Sequence, residues 1–340
     1  MQEKQKHWDE DELISLEGEV ILPIEDGKGG LRNEWMAKDL YYKPGNEFSY
    51  KGSVEGEILY YFLAKALGME ALEVKPALYV EYGENARFKN AYQKQILESG
   101  FVSGSVSKKF LKENEEFVEF IDLCGAYLQD VGSIKDAVKA IESYAGNLQE
   151  EKQIDVEIDL YEIKKKLTEI VLLDWFTKNR DRNASNLGII VNYDDKRKAK
   201  IKLAPIYDNA MIFDFHKKES TELLTRCIKE KNIKHFERKM KEGTQMLFMS
   251  ESVSILKMTY ENCEAKLKNF ILSSLYAKTF YEKIKTINFD EILKEIEKHN
   301  PNYTFPKDKL EIARLMFKLK IKNMEKSLAK GKENGEEFAK

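Results

Sequence analysis

Cysteine, histidine and long apolar runs are scarce in this chain of 340 residues. The three cysteines, Cys124, Cys227 and Cys263, are widely spaced and form no CxxC pair, so neither a disulfide framework nor a zinc site is predicted. The four histidines are far apart in sequence, which gives no indication of a histidine metal site or a Ser-His-Asp triad. No stretch approaches the ~20 apolar residues of a membrane span, and the charged N-terminus is unlike a signal peptide. We therefore expect a cytoplasmic protein in a reducing compartment.

A strong excess of either charge is also absent. The chain has 56 basic and 59 acidic side chains, a formal net charge of −3, so direct nucleic-acid binding is not expected. Hydrophobic residues make up 42% and charged residues 34%, which is typical of a globular protein and excludes a disordered one. The length is sufficient for one large or two modest domains.

The residue pattern predicts strands mainly in the first third of the chain and helices after it. The predicted strands are residues 40–43, 77–82, 100–110, 187–192 and 200–204. The predicted helices are residues 54–67, 112–128, 133–144, 159–178 and 307–329. We predict an α+β fold with a small β-rich lobe at 1–111, a larger helical lobe at 112–330 and a charged tail at 331–340.

The most specific chemical signal is NRDRNASN, residues 179–186, followed by LAPIYD, which ends at Asp208. Asp181 precedes Asn186 by five residues and Asp208 by 27. Kinases place a carboxylate for the attacking hydroxyl and oxygen ligands for Mg²⁺ in this order around a short hairpin. We predict Asp181 as the catalytic base and Asn186 and Asp208 as Mg²⁺ ligands. Arg182 either holds this loop or screens its charge, and taken alone the stretch is equally consistent with a polar turn.

A lysine and a glutamate precede Asp181 in the chain, in the order in which a kinase carries its ATP-site residues. Lys43 ends a predicted strand and suits the α- and β-phosphates of ATP, and Glu57, in the first turn of the next helix, suits the role of its partner. Glutamate is also favoured there by the helix dipole alone. Gly27, Gly29 and Gly30 precede the lysine, where a phosphate-covering loop is expected. They match neither GxGxxG nor a Walker motif, so an ordinary hairpin turn explains them equally well.

The adenine contact is predicted from the strand that ends the small lobe. In a kinase, residues 104–110 would pass behind the adenine, and backbone groups near Ser107, Lys108 and Lys109 would bind it. An ordinary strand end with exposed lysines explains the same residues at least as well.

Two segments, LLDWFTKNRDRNASNLGIIV and LAPIYDNAM, resemble the catalytic and metal-binding segments of the HipA-like serine/threonine kinases. GEILYYFLAKALGM, which follows YYKPG, is similar to their lysine strand and the helix after it. The resemblance runs from about residue 38 to residue 214 and is strongest over residues 170–211.

The resemblance implies a bilobal protein-kinase-like fold with an all-helical larger lobe and with ATP and Mg²⁺ as cofactors. It assigns to Asp181, Asn186, Asp208, Lys43 and Glu57 the roles given above. It further implies a protein Ser or Thr as the acceptor and, by resemblance only, a toxin-type role with a separately encoded regulatory partner.

Three features depart from the family pattern. Asn183 follows the Asp-Arg pair, where the family usually has His, which affects the expected loop geometry but not the carboxylate. There is no room for the extra N-terminal domain of HipA, so a compact relative is expected. No Ser lies between Asp26 and Arg32, so inhibitory autophosphorylation in the phosphate-covering loop is not expected.

Two alternatives to a protein kinase remain at this point. A small-molecule or lipid kinase fits the same scaffold, because acceptor choice depends on loops and helices that the motif does not specify. A nucleotide-binding pseudokinase or scaffold is the non-enzymatic alternative. The residues that a kinase needs are all present, which argues against it: Lys43, Glu57, Asp181, Asn186 and Asp208.

Overall fold

A computed structural model describes most of the chain. The described residues are 14–15, 22–23, 35–37, 40–44, 53–77, 80–81, 104–127, 133–182, 184–194, 197–215, 217–242, 260–301 and 303–337. Within them, no helix is both long enough and apolar enough to cross a membrane.

The described strands all lie within the first 203 residues, with four helices between them, and the other described helices follow. The strands are β1 Ile14–Ser15, β2 Leu22–Pro23, β3 Trp35–Ala37, β4 Leu40–Pro44, β5 Val74–Ala77, β6 Val80–Glu81, β7 Gly104–Lys108, β8 Glu115–Glu119, β9 Asp155–Ile158, β10 Gly188–Tyr193 and β11 Lys198–Leu203. The helices are α1 Val54–Ala66, α2 Phe120–Tyr127, α3 Ile134–Lys152, α4 Leu160–Thr177, α5 Lys218–Lys229, α6 Ile233–Lys241, α7 Tyr260–Ser273, α8 Leu275–Lys285, α9 Phe289–His299 and α10 Lys307–Glu337.

The strands form two main sheets, one on each side of the sequence between β7 and β8. The first has the order β2-β3-β4-β7-β5 with antiparallel neighbours, and in it Lys43 of β4 pairs with Ser105 of β7. The second has the order β8-β10-β11-β9, in which only the β11–β9 pair is parallel. A short parallel pair, β1-β6, is separate from both.

Helix α4 is the core of the larger lobe. Every residue from Leu167 to Thr177 is buried, as expected for a helix that is covered by neighbours on all sides. The side chain of Asp159 caps its N-terminus by accepting the Glu162 backbone N–H at 2.9 Å. Its C-terminus ends at Lys178, which has a left-handed φ of 55°. The NRDRNASN segment therefore begins directly after this turn, at the end of a buried helix.

The α+β fold class is confirmed, with corrections to its parts. The larger lobe is not all-helical, because it carries the four-stranded sheet, of which the sequence predicted only the β10–β11 hairpin. The predicted helix at 112–128 is wrong in its first half, where β8 pairs with β10 instead. A Cβ on Gly188 would lie 2.3 Å from the Phe117 ring, so a glycine is required for this pairing. Long-range pairing thus overrides the helix propensity of the glutamates.

Candidate active site

The loop that carries Asp181 is fixed by its own backbone and side chains. Asn179 donates its backbone N–H to the carbonyl of Asp174 at 2.9 Å, and its side-chain oxygen accepts the Asp181 N–H at 3.1 Å. The side-chain amide of Asn186 donates to the Asp181 carbonyl at 2.6 Å. Asn186 is buried and Asp181 is partly exposed. The loop therefore closes on itself between Asp181 and Asn186 and presents Asp181 at the surface of the larger lobe.

Arg182 is a buried crosslink within this site. Its Nε donates to Asp174 Oδ2 at 2.9 Å, and Nη1 donates to the carbonyls of Asn186 and Tyr207, each at 2.9 Å. Its Nη2 donates to the side chain of Asn209. Burial disfavours its charge, but the carboxylate of Asp174 leaves the pKa of Arg182 above its ordinary value. Of the two roles predicted for Arg182, these contacts favour holding the loop.

Asp174 was not predicted from the sequence as a functional residue, yet it anchors this network. Its carboxylate also accepts from the hydroxyl of Tyr60 at 2.9 Å and from the side-chain amide of Asn179 at 3.0 Å. The carboxylate is buried beside a buried guanidinium, where only good pairing and hydrogen bonding compensate for lost hydration. A signal was present in the sequence, since Asp174 interrupts the apolar run IVLLDWF.

Asp208 lies on a segment that Arg182 holds on both sides, through Tyr207 and Asn209. Its φ is 53°, a left-handed conformation that few residues other than glycine adopt, with Asp and Asn among the exceptions. Such strained backbone is concentrated at functional sites, where the surrounding structure enforces it. Arg182 therefore brings together the segments that carry Asp181, Asn186 and Asp208.

Helix α1 docks on the same segment. Glu57 is buried, and its Oε2 accepts the backbone N–H of Asn209 at 2.9 Å. The Ser53 N–H donates to the Ala210 carbonyl at 3.1 Å. A Cβ on Gly56 would lie 2.7 Å from that carbonyl oxygen, so the close approach of the helix requires a glycine. Glu57 thus links α1 to the chain next to Asp208.

The remaining predicted residues are only partly described. The backbone of Lys43 lies in β4, but its side chain is outside the described residues, so the Lys43–Glu57 pair stays a prediction. Gly27, Gly29 and Gly30 lie outside them as well, and so does Asn183.

The residues predicted near the adenine lie at and just beyond the end of β7. Ser107 is partly buried, and Lys108 and Lys109 are exposed.

An aromatic cluster follows β7 and was missed by the sequence analysis. Phe110 stacks on Tyr207 with ring centroids 6.3 Å apart and an interplanar angle of 21°. Phe117 packs edge-on against both rings, at 5.7 Å from Phe110 and 5.8 Å from Tyr207. The Tyr207 hydroxyl donates to the Ser185 carbonyl at 2.8 Å. All three rings are partly exposed, so they form an apolar surface directly beside Asp208.

A second buried carboxylate, Asp214, was also missed. Its Oδ2 accepts from Lys178 Nζ at 2.7 Å, and its Oδ1 lies 2.9 Å from Arg180 Nε. The backbone is also joined next to the Lys178–Asp214 ion pair, because the Phe213 N–H donates to the Thr177 carbonyl at 2.8 Å. Burial lowers the pKa of Lys178 to about 8, and the carboxylate of Asp214 acts in the opposite direction. The Asp181 loop is therefore held by Asp174 on one side and by Asp214 on the other.

Asn186 and Asp208 offer the kind of oxygen donor that Mg²⁺ takes. Among the residues that the structure describes, no three or more His, Cys, Asp and Glu cluster as a metal site. Mg²⁺ in phosphoryl-transfer sites is bound through one or two carboxylates together with phosphates and water. Asn186 and Asp208 supply hard oxygen donors, and Arg182 holds their two segments together, so these residues fit that ion.

No protein-family model and no curated protein matches this chain. Among solved structures, it is similar to the Helicobacter pylori proinflammatory kinase CtkA, with a TM-score of 0.57 and 15% identity over 94% of this chain and 99% of that one. A Shewanella oneidensis HipA, solved with HipB and operator DNA, gives a TM-score of 0.42 and 14% identity over 86% of this chain and 59% of that one. At these identities the comparison with CtkA establishes the fold, and this chain has the fold of that kinase.

Proposed function

We propose that the protein is an ATP- and Mg²⁺-dependent kinase that transfers the γ-phosphoryl group to a Ser or Thr of a protein. One observation carries the proposal: the guanidinium of Arg182 bonds to the carbonyls of Asn186 and Tyr207. It thereby holds a loop with a general-base candidate against a segment with a metal-ligand candidate. A buried ion pair rarely stabilises a fold more than apolar packing does, so the need to hold these two segments in a fixed position is the favoured explanation of the crosslink. The fold shared with a known kinase supports the same reading.

The residues have distinct roles in this mechanism. Asp181 orients the acceptor hydroxyl and takes its proton as the oxygen bonds to the γ-phosphorus and the bond to the ADP oxygen breaks. Asn186 and Asp208 would hold Mg²⁺, and the ion would neutralise charge on the phosphates. Lys43 pairs with the α- and β-phosphates, and Glu57 ties α1 to the metal-binding segment. Catalysis rests on positioning and electrostatics, which explains why the loop is fixed from two sides.

The nucleotide enters beside the aromatic cluster. We propose that the adenine packs on the surface of Phe110, Phe117 and Tyr207, with backbone groups near Ser107 and Lys108 at its edge. Tyr207 directly precedes Asp208, so one short segment supplies both an adenine contact and a phosphate-side metal ligand.

Asp208→Asn tests the metal site. The substitution keeps size and one oxygen donor but removes the charge, so we expect Mg²⁺ to improve ATP affinity much less than in the wild type, with about a tenfold or greater loss of phosphotransfer. ATP titrations with Mg²⁺ or with EDTA, and transfer of label from γ-labelled ATP, measure the two effects. A variant whose ATP affinity responds to Mg²⁺ as strongly as that of the wild type would remove Asp208 from the metal site.

Tyr207→Ala tests the adenine surface. Loss of the ring is expected to weaken ATP binding about tenfold, because stacking of a base on an aromatic ring contributes roughly 1–3 kcal/mol. Tyr207→Phe is the matched control, since it keeps the ring and removes the hydroxyl that bonds to Ser185. Binding of ATP and of inorganic triphosphate should be compared by titration. Equal losses for both ligands, or none for ATP, would argue against an adenine contact.

A further inference from the structure

An ion pair that has no role in the mechanism above joins α1 to α10. The Oε2 of Glu55, in the first turn of α1, lies 2.7 Å from the Nζ of Lys309, in the first turn of α10. The pair is largely withdrawn from water, since the side chain of Lys309 is 15% exposed and that of Glu55 is 19% exposed. Ser53, which caps α1, donates its hydroxyl to the same oxygen of Glu55 at 2.6 Å. These contacts hold the start of α1 against α10.

The position of Lys309 is not explained by its own helix. The helix dipole disfavours a cation in the first turn, and a partly buried charge is screened less by salt than an exposed one. The carboxylate of Glu55 compensates for this placement. Burial disfavours the charge of Glu55, but Lys309 and the hydroxyl of Ser53 leave its pKa below the ordinary value. The two charges therefore depend on each other, which indicates that contact between α1 and α10 is what places Lys309.

Helix α1 and Lys309 also contact the two ends of the segment that follows Asp208. At its start, Glu57 of α1 accepts the Asn209 N–H at 2.9 Å. At its end, Lys309 Nζ lies 5.7 Å from the centroid of the Phe215 ring, within the range of a cation–π contact. A change at Lys309 thus reaches this segment directly at one end and through α1 at the other.

The position of α1 matters for the proposed chemistry. In protein kinases the ion pair between the phosphate lysine and a helix glutamate must be in place for transfer. Glu57 is the residue predicted for the glutamate role, and it follows Glu55 by two residues in the same helical turn. We propose, on the basis of the function proposed above, that Lys309 is a positioning residue for phosphotransfer. Its ion pair with Glu55 holds α1, and α1 holds the metal-binding segment through Glu57.

Lys309→Met tests this role, because it keeps most of the side-chain length and removes the charge. The KM for Mg²⁺-ATP is expected to rise about tenfold, with a smaller change in kcat, since the metal-binding segment loses support while Asp181 keeps its own contacts. Transfer from γ-labelled ATP to a library of Ser/Thr peptides measures both constants. Lys309→Arg keeps the charge and should stay close to the wild type. Lys307→Met is the matched control, since Lys307 is an exposed lysine in the same helical turn.

Hydrogen exchange of the nucleotide-free protein separates this proposal from the proposed function. In Lys309→Met, the amides of residues 53–60 and 206–215 are expected to exchange about tenfold faster than in the wild type, because they open more often. The amides of α3 should keep their wild-type rate. If exchange changes in this way but the wild type transfers no phosphate, the kinase proposal fails and the coupling of Lys309 to α1 stands. Faster exchange in α3 as well would show a general loss of stability and overturn the positioning role.

Glu55→Gln approaches the same pair from α1. It should reproduce the effects of Lys309→Met on KM and on exchange, and the double variant should be little worse than either single one, because each change removes the same interaction. Wild-type KM and exchange in Lys309→Met would overturn the proposal. Equal effects of Lys307→Met and Lys309→Met, or additive effects in the double variant, would overturn it as well.

Discussion

Asp181→Asn is expected to lower the rate of phosphotransfer by about 10²–10⁴-fold, the usual contribution of a positioned general base. The affinity for Mg²⁺-ATP should stay close to that of the wild type, because Asn186 and Asp208, not Asp181, are the proposed metal ligands. The loss should therefore appear in kcat with little change in KM for ATP. Single-turnover transfer from γ-labelled ATP to a protein acceptor, together with an ATP titration, measures both quantities.

We expect this substitution to leave the conformation of the loop unchanged. The backbone of Asp181 is held by Asn179 and Asn186, and these contacts use its N–H and carbonyl rather than its carboxylate. Asparagine has nearly the same size, so we expect the loop to keep its conformation. Asp155→Asn is a matched control, since this carboxylate lies in β9 with its side chain 72% exposed. The control should leave transfer unchanged.

The outcome also discriminates between a protein kinase, a small-molecule or lipid kinase and a pseudokinase. If wild type and Asp181→Asn bind ATP equally and neither transfers label, the protein is a nucleotide-binding pseudokinase. If the wild type transfers label only to small molecules of a cell extract, the protein acceptor is wrong although the mechanism is right. Unchanged transfer by the variant would remove Asp181 from catalysis.

The sequence predicted candidate residues on the segments that Arg182 joins, but it did not predict the contacts that join these segments. Asp181, Asn186 and Asp208 were predicted because their spacing around a hairpin is the spacing that phosphotransfer from ATP would require. Asp174 and Asp214 lack such spacing, since their partners are brought to them by α4 packing and by the left-handed turns at Lys178 and Asp214. Their roles depend on tertiary contacts, which periodicity and motif do not encode.

The elements of the fold likewise divide into those predicted from local signals and those that depend on long-range contacts. Local signals predicted α1, β4 and the β10–β11 hairpin, because capping, periodicity and turn residues act within a few positions. The strand β8 was predicted as helix, since its glutamates favour a helix locally and its partner β10 lies about 70 residues away. Non-local pairing of this kind is where a single sequence gives the weakest guidance.

Asp174→Ala is expected to have the largest effect on stability, a loss of about 3–5 kcal/mol in the free energy of unfolding. The alanine leaves the Arg182 guanidinium buried without its carboxylate, and it removes an acceptor from Tyr60 and from Asn179. Asp174→Asn keeps the shape but not the charge, so it should fall between alanine and wild type. Chemical denaturation monitored by tryptophan fluorescence measures these differences.

A double substitution distinguishes a paired charge from simple loss of contact. Asp174→Leu with Arg182→Met removes both charges, so its loss of stability should be smaller than the sum of the two single losses, because no uncompensated charge remains buried. Full recovery is not expected, since the carbonyls of Asn186 and Tyr207 lose their donor. Glu162→Ala, which breaks the partly exposed Glu162–Lys165 pair on the same helix, should cost less than about 1 kcal/mol. Additive losses in the double variant would mean that Asp174 and Arg182 stabilise the fold independently, and Arg182 would then not depend on Asp174 to hold the catalytic loop.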